Sequence, residues 1–161
     1  MSNNYSEFSE VINNITDKER AWLDKMPTGD FHDDIVLEDV QEFFDMGKDG
    51  LAVYGVDGGV YSRFPEFEMD FEEHDGNRQW WLHGDDNFNS DHVLLVVQSF
   101  LAKFRPKGVF KMTWCEYCDK PRIGEFGGAW LAISADDFLS GNTWGEADEA
   151  AEALLTGDQK L

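Results

Sequence analysis

Two cysteines are the residues whose type and spacing most directly suggest chemistry. Cys115 and Cys118 form a C-x-x-C pair preceded by Trp114, which is the local pattern of thioredoxin-like redox sites. Such sites need the first cysteine at a helix N-terminus, where the helix dipole lowers the pKa of the thiol. The Asp-Lys-Pro stretch at 119–121 instead predicts a loop after the pair. We therefore expect one buried cysteine and one loop cysteine, with no redox role.

Metal coordination is the second chemistry that the sequence could support. A zinc site on the cysteine pair would need two more ligands from the four histidines, and none of these stands at a standard zinc-ligand spacing. Alternating oxygen-bearing side chains resemble the start of a calcium loop: Asp85, Asn87, Asn89 and Asp91. However, Ser90 occupies the glycine position of such a loop, and Val96 occupies the position of its bidentate glutamate. We expect no metal site and no cofactor.

No motif assigns the chain to a reaction class. The sequence contains no G-x-S-x-G, H-E-x-x-H, P-loop or G-x-G-x-x-G pattern. Counting residues does not exclude a carboxylate pair for acid–base catalysis. We therefore expect a protein that is not an enzyme and has no catalytic residues, and we keep a metal- or thiol-dependent enzyme as an alternative.

Net charge is the most extreme property of the sequence. The chain has 33 acidic against 13 basic residues, a formal net charge of −20. Residues 1–99 carry a net charge of −17, residues 100–125 carry +3, and residues 126–161 carry −6. A field of this sign repels nucleic acid and attracts basic surfaces. We expect a basic, nucleic-acid-binding protein as partner, and no direct contact with nucleic acid or a membrane.

Hydrophobic periodicity predicts the elements that position these charges. A helix is expected over 16–26, where Thr16 and Glu19 form a capping box. Three further helices are expected: 36–46, with an acidic outer face; 91–105, capped by Ser90 or Asp91, with its apolar face in the core; and the tail, 146–155. A single strand is expected at 51–56, and a pair of strands at 109–117 and 129–133, joined by the loop 118–128.

The segment 66–84 predicts a β-hairpin in detail. Apolar and acidic residues alternate along its first strand, and Asp75-Gly76 supplies a two-residue turn. This turn sets a register with three complementary pairs on the apolar face: Glu73 with Arg78, Phe71 with Trp80, and Met69 with Leu82. The opposite face then carries an anionic row with a spacing of about 6.6 Å and a length of about 20 Å: Glu66, Glu68, Asp70 and Glu72.

The order of the elements predicts one α+β domain over 1–161. Antiparallel hairpins should form a sheet with helices packed on one face. We expect the termini, 1–15 and 146–161, to be frayed. The polar N-terminus lacks the features of a signal peptide, no apolar run is long enough to span a bilayer, and the two cysteines are too few for a disulfide scaffold. These observations favour the bacterial cytoplasm.

One segment resembles a known pattern. The stretch KPRIGEFGG at 120–128, together with Phe104-Arg105-Pro106 and Cys118, is similar to a pattern of small uncharacterised acidic proteins of bacteriophages, plasmids and bacteria. The resemblance covers about the second half of the chain, and Cys115 departs from the pattern. It implies a phage or mobile-element origin but no function. From the sequence, the stretch reads as a loop with Phe126 packed into the core, or as a binding loop.

These observations lead to a hypothesis of nucleic-acid mimicry. In composition the chain resembles anti-defence proteins, such as anti-restriction and anti-CRISPR inhibitors, that present carboxylates in place of phosphates. One row has about half the linear charge density of a DNA strand, so a mimic needs a second row. The candidates for it are Glu38, Asp39, Glu42 and Asp45 of the second helix, with Asp85 and Asp86. The alternative is an acidic adaptor or regulatory protein whose charge provides only solubility.

Overall fold

The computed structural model describes residues 4–120 and 126–160, the last five as backbone only. The strands of the described residues are β1 (Asn4–Ile12), β2 (Gly29–Asp30), β3 (Arg63–Phe64), β4 (Glu68–His74), β5 (Asn77–Gly84), β6 (Phe110–Cys118), β7 (Gly127–Ile133) and β8 (Phe138–Asn142). The helices are α1 (Asp17–Lys25), α2 (Leu37–Phe44), α3 (Lys48–Val53), α4 (Ser90–Phe104) and α5 (Thr143–Lys160).

A six-stranded antiparallel sheet organises the chain, with strand order β4-β5-β1-β6-β7-β8. A short two-stranded sheet pairs β2 with β3. Helices α1, α2, α3 and α4 bury apolar side chains against one face of the large sheet, which contributes Trp80, Leu82, Met112 and Ile133 to the core. The α+β class with helices on one face is confirmed. The opposite face has none of these four helices on it, and we call it the uncovered face.

The hairpin β4–β5 has the register predicted from its turn. Phe71 pairs with Trp80 and Met69 pairs with Leu82 across the two strands. The capping box at Thr16 and the core helix α4 are also present. The predicted cap of α4, Ser90 or Asp91, was wrong. Asn89 caps this helix, because its side chain accepts hydrogen bonds from the N–H groups of Asp91 and His92.

The N-terminal segment was predicted to be frayed, and this was wrong for β1. This strand lies between β5 and β6 and pairs with both. Phe8 and Ile12 are buried, but Glu10 occupies the inward position between them and accepts a hydrogen bond from the backbone N–H of Thr113. A polar residue at an inward position interrupts the alternation by which a strand is recognised.

Two further predictions differ from the structure. The segment 51–56 was predicted as a strand, but Lys48–Val53 is helix α3, in which Leu51 is buried and Val53 is 78% exposed. A strand would have placed both side chains on the same face. Strand β8 was not predicted, and the tail helix α5 begins at Thr143 rather than 146. The side chains of 145–155 are exposed, so packing adds little to α5.

The ring of Phe100 lies at the centre of the core. It is fully buried and contacts the rings of Trp22, Trp80 and Phe104 at centroid distances of 6.3, 5.2 and 5.5 Å. These rings come from α1, from β5 and from its own helix. Phe100 therefore joins the helical layer to the sheet.

An ion pair with a buried carboxylate joins three elements at one end of the sheet. Arg105, which follows α4, donates to both carboxylate oxygens of Glu19 in α1, at 2.8 and 3.1 Å. Its guanidinium also donates to the carbonyls of Asn13 and Asn14, which follow β1. Burial alone would raise the pKa of Glu19, but the hydrogen bonds from Arg105 and Thr16 hold this pKa below its ordinary value of 4.5.

We expect Phe100→Ala to lower the free energy of unfolding by about 3–5 kcal/mol, because it leaves a cavity among three aromatic rings. The control is Phe138→Ala, which removes a phenylalanine that is 47% exposed and should cost less than about 1 kcal/mol. Urea unfolding followed by circular dichroism measures both values. Equal midpoints for Phe100→Ala and the wild type would contradict this description of the core.

We expect Arg105→Met to cost about 3 kcal/mol at neutral pH, because it leaves the carboxylate of Glu19 buried without its cation. The folded pKa of Glu19 is lowered, so its ionised form stabilises the fold above pH 4.5, and this contribution is lost as the pH falls below 4.5. The cost of Arg105→Met should therefore shrink in that acidic range. Urea unfolding from about pH 3 to pH 7 measures the change.

The matched control is Arg63→Met, which removes an exposed pair with Glu68 and should cost less than about 1 kcal/mol at every pH. A cost of Arg105→Met that does not depend on pH would show that lost packing, rather than the ion pair, accounts for it.

Candidate partner-binding surface

The anionic row of the hairpin has three members on the uncovered face. Glu68, Asp70 and Glu72 alternate with the inward side chains of β4 and are exposed. Glu66 lies before the strand and is half-buried, and its backbone N–H donates to His92. The row is thus about 13 Å long and not about 20 Å, as the sequence suggested.

Each carboxylate of the row has a basic neighbour. Arg63 lies 3.4 Å from Glu68, His83 lies 2.7 Å from Asp70, and His74 lies 3.1 Å from Glu72. The carboxylate side chains remain between 47% and 59% exposed. The pairs of Arg63 with Glu68 and of His74 with Glu72 are exposed on both sides and contribute little energy, so an incoming cation can replace them at small cost, whereas the side chain of His83 is only 14% exposed.

The acidic surface continues around the end of the hairpin. Glu66, Glu68 and Asp85 line a cavity of about 390 Å³, together with Arg63. Asp86 is exposed, and its carbonyl accepts a hydrogen bond from the N–H of Ser6 in β1. The structure therefore brings Glu66 and Asp85 to the end of the row.

Helix α2 does not supply a second row beside the first. Its buried residues Val40 and Phe44 face the core, and the ring of Phe44 contacts Phe64 at 5.8 Å. The helix thus packs on the covered face of the sheet, and its exposed carboxylates point away from that face: Glu38, Asp39, Glu42 and Asp45. The hairpin row lies on the other face. The predicted pairing of these two rows is not formed, because the sheet separates them.

Two pairs of aromatic side chains also lie on the uncovered face. Trp81 stacks on His83 at 3.8 Å, and Tyr5 stacks on Tyr117 at 5.1 Å. The hydroxyl of Tyr117 donates to Glu7 at 2.8 Å, and this bond raises the pKa of Tyr117 to about 12. The tyrosine pair was not predicted, because β1 was not recognised as a strand. The Trp81–His83 pair was predictable from the hairpin, because side chains two residues apart in a strand lie on the same face.

One group on this face has the residue types of a catalytic triad. Register places Ser9 beside His83, which contacts Asp70. However, the hydroxyl of Ser9 accepts a hydrogen bond from the indole N–H of Trp81 at 2.8 Å. Among the described residues no hydrogen bond joins Ser9 to His83, so the contact between nucleophile and base is missing.

His92 is a buried titratable group on the covered side. Its Nδ1 accepts from the N–H of Glu66 at 3.0 Å, and its Nε2 lies 3.3 Å from the carbonyl of Gly55. Burial lowers the pKa of His92, which favours the neutral ring that these two bonds require. The ring joins α4 to the loops before β4 and after α3, and this is a structural role.

The cysteines occupy opposite faces of β6. Cys115 is exposed and Cys118 is buried, as expected for two residues three apart in a strand, and both are free. The first cysteine is in mid-strand, so no helix dipole acts on its thiol. The prediction of a loop cysteine was wrong, since both belong to the strand. No group of three or more potential metal ligands occurs within residues 4–120 and 126–155.

The KPRIGEFGG segment is described only in part. Residues 121–125 lie outside the described residues, so its role as a binding loop stays a prediction. Phe126 is 47% exposed and does not fill the core, which contradicts that part of the loop interpretation.

Comparisons with protein-family models, curated proteins and solved structures find no match for this chain. In the part of the chain that the structure describes, no helix is both long and apolar enough to cross a membrane.

We expect Cys115→Ser to leave stability and partner binding unchanged, because this thiol is exposed on the strand. Cys118→Ser should lower the free energy of unfolding by about 1 kcal/mol, because it buries a hydroxyl, and hydrogen bonds to Asp119 and from the N–H of Lys120 offset only part of that cost. Thermal unfolding of both variants measures the difference. A thiol–disulfide exchange activity in the wild type that Cys115→Ser abolishes would contradict this assignment.

Proposed function

We propose that this chain is a non-enzymatic binding protein that inhibits a basic, nucleic-acid-binding protein, such as a CRISPR or restriction protein, in the bacterial cytoplasm. The observation that carries the proposal is the uncovered sheet face with its exposed row, Glu68, Asp70 and Glu72, in a chain of net charge −20. Such a surface attracts cationic clefts from a distance and competes there with phosphates.

The geometry favours contact through one face rather than a two-row copy of duplex DNA. The hairpin row and the cavity lined by Glu66 and Asp85 lie at one end of the sheet, and the carboxylates of α2 lie on its other side. A flat or shallow partner surface contacts only one of these sides at a time. The proposed inhibitor therefore covers a basic groove with one acidic patch, and the remaining charge contributes long-range attraction.

The rival proposal is an acidic adaptor, for which charge provides only solubility. The two differ in their dependence on salt and on competing nucleic acid. Binding through exposed charge weakens as salt rises, because screening reduces the attraction between exposed charges. Binding to a nucleic-acid site is also displaced by duplex DNA or RNA, whereas an adaptor surface is indifferent to both.

We expect the variant Glu68→Gln, Asp70→Asn, Glu72→Gln to lose at least about tenfold in affinity for the partner, because these carboxylates supply the contact charge. The measurement is affinity capture from a bacterial extract at low and high salt, with and without duplex DNA, followed by titration of the captured protein. The captured protein should itself bind nucleic acid, and DNA should displace it.

Two variants with the same number of changes serve as controls. Glu38→Gln, Asp39→Asn, Glu42→Gln neutralises α2 on the covered side, and Asp148→Asn, Glu149→Gln, Glu152→Gln neutralises the tail helix. Both should stay within about twofold of the wild type, because long-range charge affects affinity less than contact charge does. If the three variants bind equally, or if capture is indifferent to salt and DNA, the inhibitor proposal fails and the adaptor takes its place.

A further inference from the structure

The uncovered face contains two sites of similar construction. Each consists of two stacked rings beside a carboxylate that is already hydrogen-bonded to one of them. Charge alone does not account for this arrangement, because anionic repulsion of phosphate and attraction of cations need no rings. The rings therefore point to a more specific ligand.

The first site lies on the hairpin. Trp81 and His83 stack at 3.8 Å with their rings 20° from parallel, and His83 Nε2 lies 2.7 Å from Asp70 Oδ2. The hydrogen bond from the indole N–H to Ser9 fixes the orientation of Trp81. Both rings are half-buried, and the side chain of Asp70 is 58% exposed, so its carboxylate remains accessible.

The second site joins β1 to β6. Tyr5 and Tyr117 are cross-strand partners whose rings stack at 5.1 Å and 27°. The hydroxyl of Tyr117 donates to Glu7 Oε1 at 2.8 Å, which leaves the second oxygen of this carboxylate available as an acceptor. A pKa of about 12 keeps the phenol of Tyr117 neutral at physiological pH.

We propose that each of these ring pairs binds the guanidinium group of an arginine on the basic partner; this rests on the function proposed above. A guanidinium is planar and weakly hydrated, so it stacks on aromatic faces, and its five N–H donors match a carboxylate at its edge. A lysine ammonium is not planar and lacks the paired N–H donors that match a carboxylate. The ring pairs thus select arginine among cations that the acidic row attracts without distinction.

The spacing of the two sites constrains the partner. Tyr5 pairs with Tyr117, and Ser9, four residues along β1, pairs with His83. Four strand residues span about 13 Å along β1, and His83 lies on the neighbouring strand about 4.8 Å to the side, so the two sites are about 14 Å apart. Two arginines about four positions apart on one extended segment lie on the same side of it and reach both sites, because side chains in a strand alternate with a period of two.

Single-stranded nucleic acid is the other ligand that stacks on aromatic side chains of an open sheet. Here carboxylates flank both ring pairs, and Glu68 and Glu72 lie on the same face. The phosphates of a bound strand would lie near these carboxylates, and repulsion between like charges would lower the affinity. The charge around the rings favours arginine over a nucleotide base.

The test compares two 12-residue peptides that are identical except for four arginines in one and four lysines in the other. By calorimetric titration at physiological salt, the wild type should bind the arginine peptide about fivefold to tenfold more tightly. Trp81→Leu should reduce this preference, and Tyr5→Leu should do so independently. Neither change should alter the affinity for the lysine peptide. Circular dichroism and thermal unfolding establish that both variants are folded.

The control is Tyr61→Leu, which removes a fully exposed ring from the loop before β3 and should keep the preference. If both peptides bind the wild type equally, the ring proposal is overturned while the acidic surface remains a binding site. If the ring variants lose both peptides in parallel, the rings support the fold and the proposal is also overturned. If neither peptide binds, or a single-stranded oligonucleotide binds more tightly than both, the proposed function fails too.

Discussion

The ion pair between Glu19 and Arg105 is the interaction on which the geometry of the sheet most depends. One guanidinium reaches α1, the end of β1 and the end of α4, three segments that are far apart in the sequence. Glu19 also closes the capping box that begins α1, so the same carboxylate fixes where this helix starts. Because the second half of β1 pairs with β5, anchoring the residues after Ile12 holds this pairing in place, while the first half of the strand pairs with β6.

The ion pair also gives a structural role to one part of the pattern shared with small acidic proteins of bacteriophages, plasmids and bacteria. Phe104-Arg105-Pro106 includes an arginine that binds inside the molecule, a phenylalanine that packs on Phe100 and Trp22, and a proline where α4 has ended. These are structural roles. Any resemblance carried by these three residues therefore concerns the fold, and a shared partner would have to be argued from other positions.

Local patterns explain why much of the fold was predictable. The hairpin β4–β5 has a two-residue turn and clean alternation, so its register followed from neighbours in the sequence. Strand β1 has no adjoining turn, because it pairs with residues more than 60 positions away. It also lacks clean alternation, because Glu10 occupies an inward position. Helix α3 is six residues long, too short to show a helical period.

The candidate site also has one part that was predictable from local sequence and another part that was not. The exposed row on β4 followed from alternation, which is local. The position of α2 relative to that row depends on which face of the sheet the helix covers. The packing of Phe44 on Phe64 determines this face, and the order of charged residues in the sequence does not predict it. The tyrosine pair depends on β1 lying next to β6, a contact across more than 100 residues.

The separation of the acidic groups changes what the charge can do. Carboxylates on both sides of the sheet produce a field that attracts a cation from any direction, so the field alone gives no orientation. The ring pairs Trp81–His83 and Tyr5–Tyr117 lie on the uncovered face beside carboxylates, whereas Phe43 of α2 lies against Trp22 and both pack on the core. A basic partner that is attracted by the charge of the whole molecule would find the proposed arginine sites on the uncovered face. In the proposed complex, the total charge sets how fast the basic protein arrives, and the uncovered face sets how it binds.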